Sequence, residues 1–384
     1  MKLSLASAIL LLTISAVTAA GQSIPSYLIA NDDQPPKISP SSTFFTITPE
    51  GLLQTPTRVS LGGVASGGGY FAAKRVSILS TSDTACAYLS LGASGAISAV
   101  DLQNLQVIGD FQTINKDSGL DNGIGLANNG SYLYASFSTS ATLAAFRIQP
   151  GCGLQYMSEI SPAGLQGGDV KGMATHGNLL VVAYGDGSIE SFDISRGTPV
   201  SNGDLQNATG FASDNYPSGV DITQDGRFAI FGDDSNSTTI EISDISSGRL
   251  TRTHLHNLGA TPNSNSVSLS PDESLLYIAN NSSGRVTAAF FNKHTGGVSP
   301  GCTSPRLRGF DSNWIWLSSP VTQLNSGTGS ILYLAEFGSQ SGIAILNVTS
   351  NAGTCTLTEA LRSPVITPNS VSLLSIGVYP PRQF

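Results

Sequence analysis

The stretch LLYIANNSSGRVTAAFF, from Leu275 to Phe291, contains two apolar strand patterns separated by a polar turn. Comparable stretches recur along the whole chain. The residues equivalent to Tyr277 are Tyr27, Tyr88, Tyr134, Val181, Ala229 and Tyr333. The central members of this series are 46 to 48 residues apart. A repeat of that length, made of strands with a period of two residues, is typical of β-propeller blades.

The two ends of the chain complement one another. The first repeat begins at Ser26 and lacks the strand that opens every other repeat, whereas SVSLLSIGVYP, from Ser370, is a strand pattern with no repeat after it. A C-terminal strand that completes the first blade would remove exposed sheet edges. The sequence therefore predicts an all-β fold, a seven-bladed β-propeller whose first blade is closed by the C-terminal strand.

The N-terminal segment has the pattern of a secretory signal peptide. Lys2 precedes a short apolar run from Leu3 to Val17, and small residues follow up to Ala20. The run is shorter than a membrane span of about 20 residues. We expect residues 1–20 to be a signal peptide and residues 21–384 to form a single propeller domain, located outside the cell or in the cell wall.

The cysteine count agrees with an oxidising compartment. Four cysteines are present, and they permit three pairings. The pairing Cys86–Cys152 and Cys302–Cys355 is favoured, because each bond would then link consecutive repeats. No cofactor and no metal site are predicted.

Composition restricts the partners. Charged residues make up 11% of the chain and the net charge is −8, with no basic run. Nucleic acid is therefore excluded as an expected partner, because neutralising phosphates requires clustered Lys and Arg. No segment after the signal peptide predicts a membrane span, and we expect a monomer. The expected partner is a small polar or anionic ligand, or a glycan or protein of the cell wall or matrix.

Six Asn residues stand in the N-x-S/T pattern of glycosylation sites. We predict that they lie mostly on loops. They are Asn129, Asn207, Asn236, Asn280, Asn281 and Asn347.

Polar residues precede the first strand of most repeats, at the face where propellers commonly bind ligands. If they converge, they form a pocket of carboxylates, amides and cations, in which Lys or Arg would pair with an anion. The alternative is that they cap turns and join blades by hydrogen bonds. The candidates are Lys74, Arg75, Asp121, Asp169, Lys171, Asp214, Asn215, Asn263, Trp314 and Asn369.

No catalytic residue is predicted, because histidine, the usual acid–base residue, is misplaced. His176 and His294 fall in turns at the opposite face, and His254 and His256 fall on an outer strand.

The stretch SPDESLLYIANNSSGRVTAAFFNKHTGG, from Ser270 to Gly297, resembles the blade signature of the lactonase-type seven-bladed propellers. These include carboxymuconate-cyclising enzymes and propeller 6-phosphogluconolactonases, and the resemblance is greatest to a secreted fungal branch that contains cell-surface glycoproteins. Enzymes of the family carry HxHS and GPRH motifs where this chain has YPSGV (Tyr216–Val220) and PNSNSV (Pro262–Val267). The resemblance thus implies the fold but supplies no catalytic residue. Two functions stay open: an extracellular or cell-surface binding protein, or a lactone hydrolase or muconate-type cycloisomerase that uses channel residues other than histidine.

Overall fold

In the computed structural model the chain forms seven antiparallel sheets arranged as the blades of a propeller. The structure describes residues 24–32, 40–63, 74–82, 84–113, 124–137, 140–166, 170–207, 217–233, 239–258, 264–280, 283–309, 317–326, 329–336, 342–351, 353–367 and 373–381. Within these ranges, no helix has the length and apolar character that a membrane span requires.

The first four blades contain the following strands. Blade 1 consists of β1 (Tyr27–Asp32), β2 (Ser41–Ile47) and β3 (Leu53–Ser60), joined by β30 (Leu373–Tyr379) from the end of the chain. Blade 2 consists of β4 (Val76–Ser80), β5 (Ala85–Leu91), β6 (Ala96–Asp101) and β7 (Gln106–Gln112). Blade 3 consists of β8 (Ile124–Asn128), β9 (Tyr132–Phe137), β10 (Thr142–Ile148) and β11 (Leu154–Ile160). Blade 4 consists of β12 (Val170–His176), β13 (Leu179–Tyr184), β14 (Ser188–Asp193), β15 (Val200–Ser201) and β16 (Gln206–Asn207).

The last three blades follow the same order. Blade 5 consists of β17 (Pro217–Ile222), β18 (Phe228–Asp233), β19 (Thr239–Asp244) and β20 (Thr251–Asn257). Blade 6 consists of β21 (Ser264–Leu269), β22 (Leu275–Asn280), β23 (Arg285–Asn292) and β24 (Gly297–Thr303). Blade 7 consists of β25 (Leu317–Ser326), β26 (Gly329–Glu336), β27 (Gly342–Asn351), β28 (Thr354–Glu359) and β29 (Val365–Ile366). Short 3-10 turns occur at Gly92–Ser94, Pro150–Cys152 and Ala163–Gln166.

The predicted ring closure is confirmed. In blade 1 the strand order is β3-β2-β1-β30, so the C-terminal strand is the innermost strand of the first blade. The innermost strands β30, β4, β8, β12, β17, β21 and β25 contact one another in that order, and β25 contacts β30. Every residue that the repeat placed as an anchor lies in the second strand of its blade, as the pattern predicted.

The core of the molecule lies between the blades rather than within one sheet. Seven clusters of buried apolar side chains are present in the described residues, one for each pair of neighbouring blades, including blades 7 and 1. A second strand such as β5 or β22 is buried at every residue, because a neighbouring blade covers each face. The outer strand β7 instead alternates between exposed and half-buried residues, because its sheet edge faces solvent.

Two disulfides link consecutive blades, which confirms the predicted pairing. Cys86–Cys152 joins blades 2 and 3, and Cys302–Cys355 joins blades 6 and 7. We refer to them as the 2–3 disulfide and the 6–7 disulfide. The first is fully buried, whereas both cysteines of the second are half-buried.

Candidate functional site

The strands of each blade are called A to D from the channel outwards. Because neighbouring strands are antiparallel, the start of strand A and the end of strand B lie at the same end of a blade. We call this end the upper face, and the face that carries the A–B turns the lower face. The sequence predicts the ligand residues at the upper entrance of the channel.

Three of the ten predicted ligand residues lie within the described residues: Lys74, Arg75 and Lys171. All three are cations at the upper ends of inner strands, in blade 2 for the first two and in blade 4 for the third. The other seven lie outside the described residues and stay predictions: Asp121, Asp169, Asp214, Asn215, Asn263, Trp314 and Asn369.

Lys74 extends across the channel. Its ammonium donates a hydrogen bond of 2.9 Å to the carbonyl oxygen of Val220, which lies on the inner strand of blade 5. Because blades 2 and 5 are not neighbours, this bond spans the interior of the ring. The backbone of Lys74 adopts a left-handed conformation with φ of 62°, which is uncommon for a residue with a side chain. The carbonyl of Lys74 accepts a hydrogen bond from Leu126 N in blade 3.

Arg75 is held between blades 1 and 2 and is 1% exposed. Its backbone N–H donates to Ser375 Oγ on β30 at 3.0 Å, and its carbonyl accepts from Ser90 N on β5. The closing C-terminal strand therefore helps to position this cation.

Lys171 is 5% exposed. It is the extra residue of a β-bulge, because Val170 pairs with Tyr184 and Gly172 pairs with Ala183. A bulge redirects a side chain and bends its strand locally. The inner strands are tightly apposed beside it, since a Cβ on Gly172 would lie 2.9 Å from Val220 Cγ2.

Bulges or similar register shifts occur at the upper ends of the inner strands in blades 1, 4, 5, 6 and 7. Sequence reasoning did not predict them, because an inserted residue in a short strand leaves no distinctive pattern. Bulges are common next to functional sites. Strand pairing is therefore least regular at the upper entrance, where a functional site is expected.

The four histidines of the chain lie away from the upper entrance, as the sequence predicted. His176 ends β12 at the lower face, and His294 lies in the lower turn between β23 and β24. Burial lowers the pKa of His176, and the negative charge of Asp225 partly opposes this shift. His254 and His256 lie on β20, the outer strand of blade 5.

Glu336 is a residue of the upper face that sequence reasoning missed. It is the last residue of β26 and is fully buried. Neither of its carboxyl oxygens has a hydrogen-bond partner among the described residues. Burial and the nearby charge of Glu359 raise its pKa to about 7, although Arg308 acts in the opposite direction. The available signal was the glutamate that ends the otherwise apolar strand ILYLAE.

The lower face contains a groove of about 870 Å³. It is lined by the A–B turns of blades 2, 3 and 4, including Asn129 and His176, and by Pro381. None of the predicted ligand residues lines this groove. Acidic, Cys and His side chains nowhere gather in threes in the described part of the chain, so no metal site can be assigned there.

Solved structures that are similar to this chain share its fold at low sequence identity. A candidate 6-phosphogluconolactonase from Bacteroides uniformis has a TM-score of 0.68 and 13% identity, over 93% of this chain and 100% of that chain. A second, from Bacteroides fragilis, has a TM-score of 0.64 and 15% identity, over 92% and 98%. A protein of unknown function from Desulfotomaculum acetoxidans has a TM-score of 0.63 and 14% identity, over 92% and 98%.

No protein-family model matches the chain, and no curated protein sequence matches it. The chain has the fold of the lactonase-type seven-bladed propellers, which confirms the resemblance at the level of the fold. Sequence identities of 13 to 15% show that this chain shares the fold of these proteins, but they do not show that it shares an activity.

Proposed function

We propose that the protein is an exported glycoprotein that binds a small anionic ligand at the upper entrance of its channel, outside the cell or in the cell wall. The observation that supports this most directly is the placement of Lys74, whose half-buried ammonium lies inside the ring. Arg75 and Lys171 add two further cations at the same face. An ammonium positioned in a partly desolvated channel attracts a carboxylate or phosphate more strongly than one in bulk water.

Export and glycosylation belong to the same proposal, with residues 1–20 as signal peptide and 21–384 as the mature domain. Asn347 is exposed on β27, so its amide can carry a glycan. Asn129 is half-buried in the A–B turn of blade 3, and its amide nitrogen donates to the carbonyl oxygen of Gly177 at 3.3 Å. Asn236 and Asn281 lie outside the described residues, and Asn207 ends β16.

Asn280 requires a correction. It is not in a loop, because it is the last residue of β22, and it is fully buried. Its amide nitrogen, the atom that would carry a glycan, donates to Thr287 Oγ1 at 2.9 Å. Burial of this amide argues against a glycan, so we expect Asn280 to carry none in the folded protein.

Binding is tested by calorimetry and thermal shift with gluconate, succinate and inorganic phosphate, with glucose as the neutral control. A ligand at 100 times its Kd stabilises the folded state by about 2.7 kcal/mol, which is readily measured as a rise in Tm. We expect at least one anion to bind, and Lys74→Met to weaken that binding about tenfold or more through loss of a charged hydrogen bond. Lys293→Met is the matched control, since Lys293 is exposed in a turn of the lower face. Equal binding by wild type and Lys74→Met would contradict the proposal.

Lactone hydrolysis is the second candidate, and the fold is what favours it. The same preparations are supplied with a panel of γ- and δ-lactones, and acid release is followed at constant pH. We expect no turnover above the uncatalysed rate, because none of the chain's histidines lies at the upper entrance. Turnover that Lys74→Met or Lys171→Met abolishes would replace the binding proposal with an enzyme that uses these cations.

A further inference from the structure

The groove on the lower face, which we call the lower groove, has the sequon residue Asn129 in its lining. Its volume of about 870 Å³ falls within the range of about 300 to 1,000 Å³ that is usual for ligand sites. A Cβ added to Gly130 or to Gly177 would meet no heavy atom within 4 Å beyond its chain neighbours. There is therefore open space beside the asparagine and beside the turn that it faces.

The side chain of Asn129 has a fixed orientation. Its Oδ1 accepts hydrogen bonds from the backbone N–H groups of Ser131 and Tyr132, at 3.2 and 2.9 Å. Its Nδ2 lies on the other side of the planar amide and donates to the carbonyl oxygen of Gly177, in the A–B turn of blade 4, at 3.3 Å. The nitrogen that would carry a glycan therefore points along the lower groove, from blade 3 towards blade 4.

The lining of the lower groove matches the chemistry of a neutral sugar. None of the described residues that line it is Lys, Arg, Asp or Glu. Burial lowers the pKa of the lining residue His176, so this side chain is mainly uncharged at neutral pH. N-acetylglucosamine, the first sugar of an N-linked glycan, combines hydroxyl and amide groups with an apolar ring face. The groove offers the same combination, with hydroxyl and amide side chains from Ser80, Thr81, Ser82, Asn128 and Thr175 and apolar ones from Ile78, Leu79 and Pro381.

Glycosylation would attach this ligand covalently. Nδ2 of the asparagine forms a bond to the anomeric carbon of a lipid-linked sugar diphosphate and loses one proton, and the lipid diphosphate is the leaving group. The nitrogen keeps its second hydrogen, so the hydrogen bond to Gly177 can persist beside the sugar. Because the sugar stays tethered, its contacts with the groove form within one molecule, at a high effective concentration.

We propose that the glycan of Asn129 lies in the lower groove, so that this groove is a carbohydrate-binding site occupied by the chain's own N-linked sugar. The sugar covers the A–B turns of blades 3 and 4 and closes the groove to soluble ligands. The inference rests on the glycoprotein part of the proposed function. It does not depend on the anion site at the upper entrance.

Release of the glycan from the folded protein tests its position. The protein is produced in a glycosylating host and treated with a peptide N-glycanase under native conditions, and timed samples are analysed by peptide mass spectrometry. Asn347 is the reference site, because it is exposed on β27. We expect native release to be about tenfold slower at Asn129 than at Asn347, since it requires the sugar to leave the groove. After denaturation the two rates should be similar.

A groove-filling variant distinguishes a bound sugar from an attachment site that is merely hard to reach. Ser82→Trp places a large side chain in the wall of the lower groove, so native release at Asn129 should approach the rate at Asn347. Gln103→Trp is the matched control, because Gln103 is exposed in the C–D turn of blade 2 and does not line the groove. This variant should keep the slow release of the wild type.

Hydrogen exchange locates the sugar without any change to the groove, and it applies even where Ser82→Trp fails to fold. Ser131→Ala destroys the sequon at Asn129 but keeps the asparagine and both backbone donors to its Oδ1. Peptides that contain residues 175–179 should exchange faster in this variant than in the glycosylated wild type, because the sugar no longer covers the turn of blade 4. Thr349→Ala, which destroys the sequon at Asn347, should leave their exchange unchanged.

Three results would overturn the inference: equal native release at the two sites, unchanged slow release in Ser82→Trp, or unchanged exchange in Ser131→Ala. A glycan on Asn347 with none on Asn129 refutes the inference alone, and the protein is still a glycoprotein. A chain without any glycan refutes the glycoprotein part of the proposed function as well. Anion binding is measured separately, so its failure leaves the result for the lower groove unaffected.

Discussion

Replacing Glu336 by glutamine should stabilise the protein above neutral pH, although the side chain is fully buried. The pKa of this carboxyl rises from 4.5 to about 7 in the folded chain. The folded state therefore binds the proton more tightly than the unfolded state does. The resulting stability is fully present below about pH 4.5 and is lost as pH rises through about 7.

The magnitude follows from the same shift. One pKa unit corresponds to 1.36 kcal/mol, so a rise of about 2.5 units amounts to about 3 kcal/mol between the two ends of the titration. Glutamine has nearly the same shape and carries no charge, so Glu336→Gln escapes this loss. At about pH 8.5 we expect the variant to exceed the wild type by about 3 kcal/mol, and near pH 4.5 the two should be similar.

Urea denaturation of both proteins at both pH values measures the effect. The difference in free energy of unfolding between variant and wild type is measured at each pH, and the value at low pH is subtracted from the value at high pH. Any packing change that glutamine introduces cancels in this subtraction, because it is independent of pH. Glu190→Gln should instead lower stability at both pH values, since it disturbs two made hydrogen bonds. A Glu336→Gln variant whose advantage does not grow with pH would refute the argument that an ionised Glu336 is unsatisfied.

Three further outcomes are expected. Limited reductant should open the half-buried 6–7 disulfide before the buried 2–3 disulfide, as alkylation and mass spectrometry would show, and equal reduction rates would contradict this order. Removal of either bond should lower the free energy of unfolding by about 4 kcal/mol, because the bonds close loops of 53 and 66 residues. Gly226→Ala should lower Tm more than Gly177→Ala does. Both glycines have positive φ, but only at Gly226 would a Cβ lie against the His176 ring, at 2.2 Å. Equal decreases in Tm would show that the ring moves freely. In a glycosylating host, peptide mapping should find a glycan on Asn347 and none on Asn280, and a glycan on Asn280 in folded protein would contradict the burial of that amide.

The fold could be predicted because its determinants are local and repeated. Each blade shows its apolar strands within about 20 residues of sequence, and the mismatch between the two chain ends indicates the closure. The disulfide pairing followed from the same repeat, since Cys86–Cys152 and Cys302–Cys355 each join consecutive blades.

The site was less predictable because its determinants are distant in sequence. The bond from Lys74 to Val220 joins residues 146 positions apart. The environment of Glu336 depends on Gly309 and Glu359 from other segments. Asn280 was misplaced for a different reason, because the sequon pattern does not show whether an asparagine ends a strand or begins a loop.

On the described part of the upper face, the cations that the proposed anion site uses and the group that titrates near neutral pH belong to different blades. The backbone N–H of Arg75 is hydrogen-bonded to Ser375 Oγ and Lys171 stands in a bulge of β12, so the main chain that carries these cations is already in place before an anion binds. A general base must instead reach its substrate and titrate near the working pH. Among the described residues of this face, Glu336 has a pKa of about 7, and it lies in blade 7 against Gly309, whereas the cations lie in blades 2 and 4. The two requirements thus fall on different groups: cations in blades 2 and 4, which the proposed anion site uses, and a buried acid in blade 7.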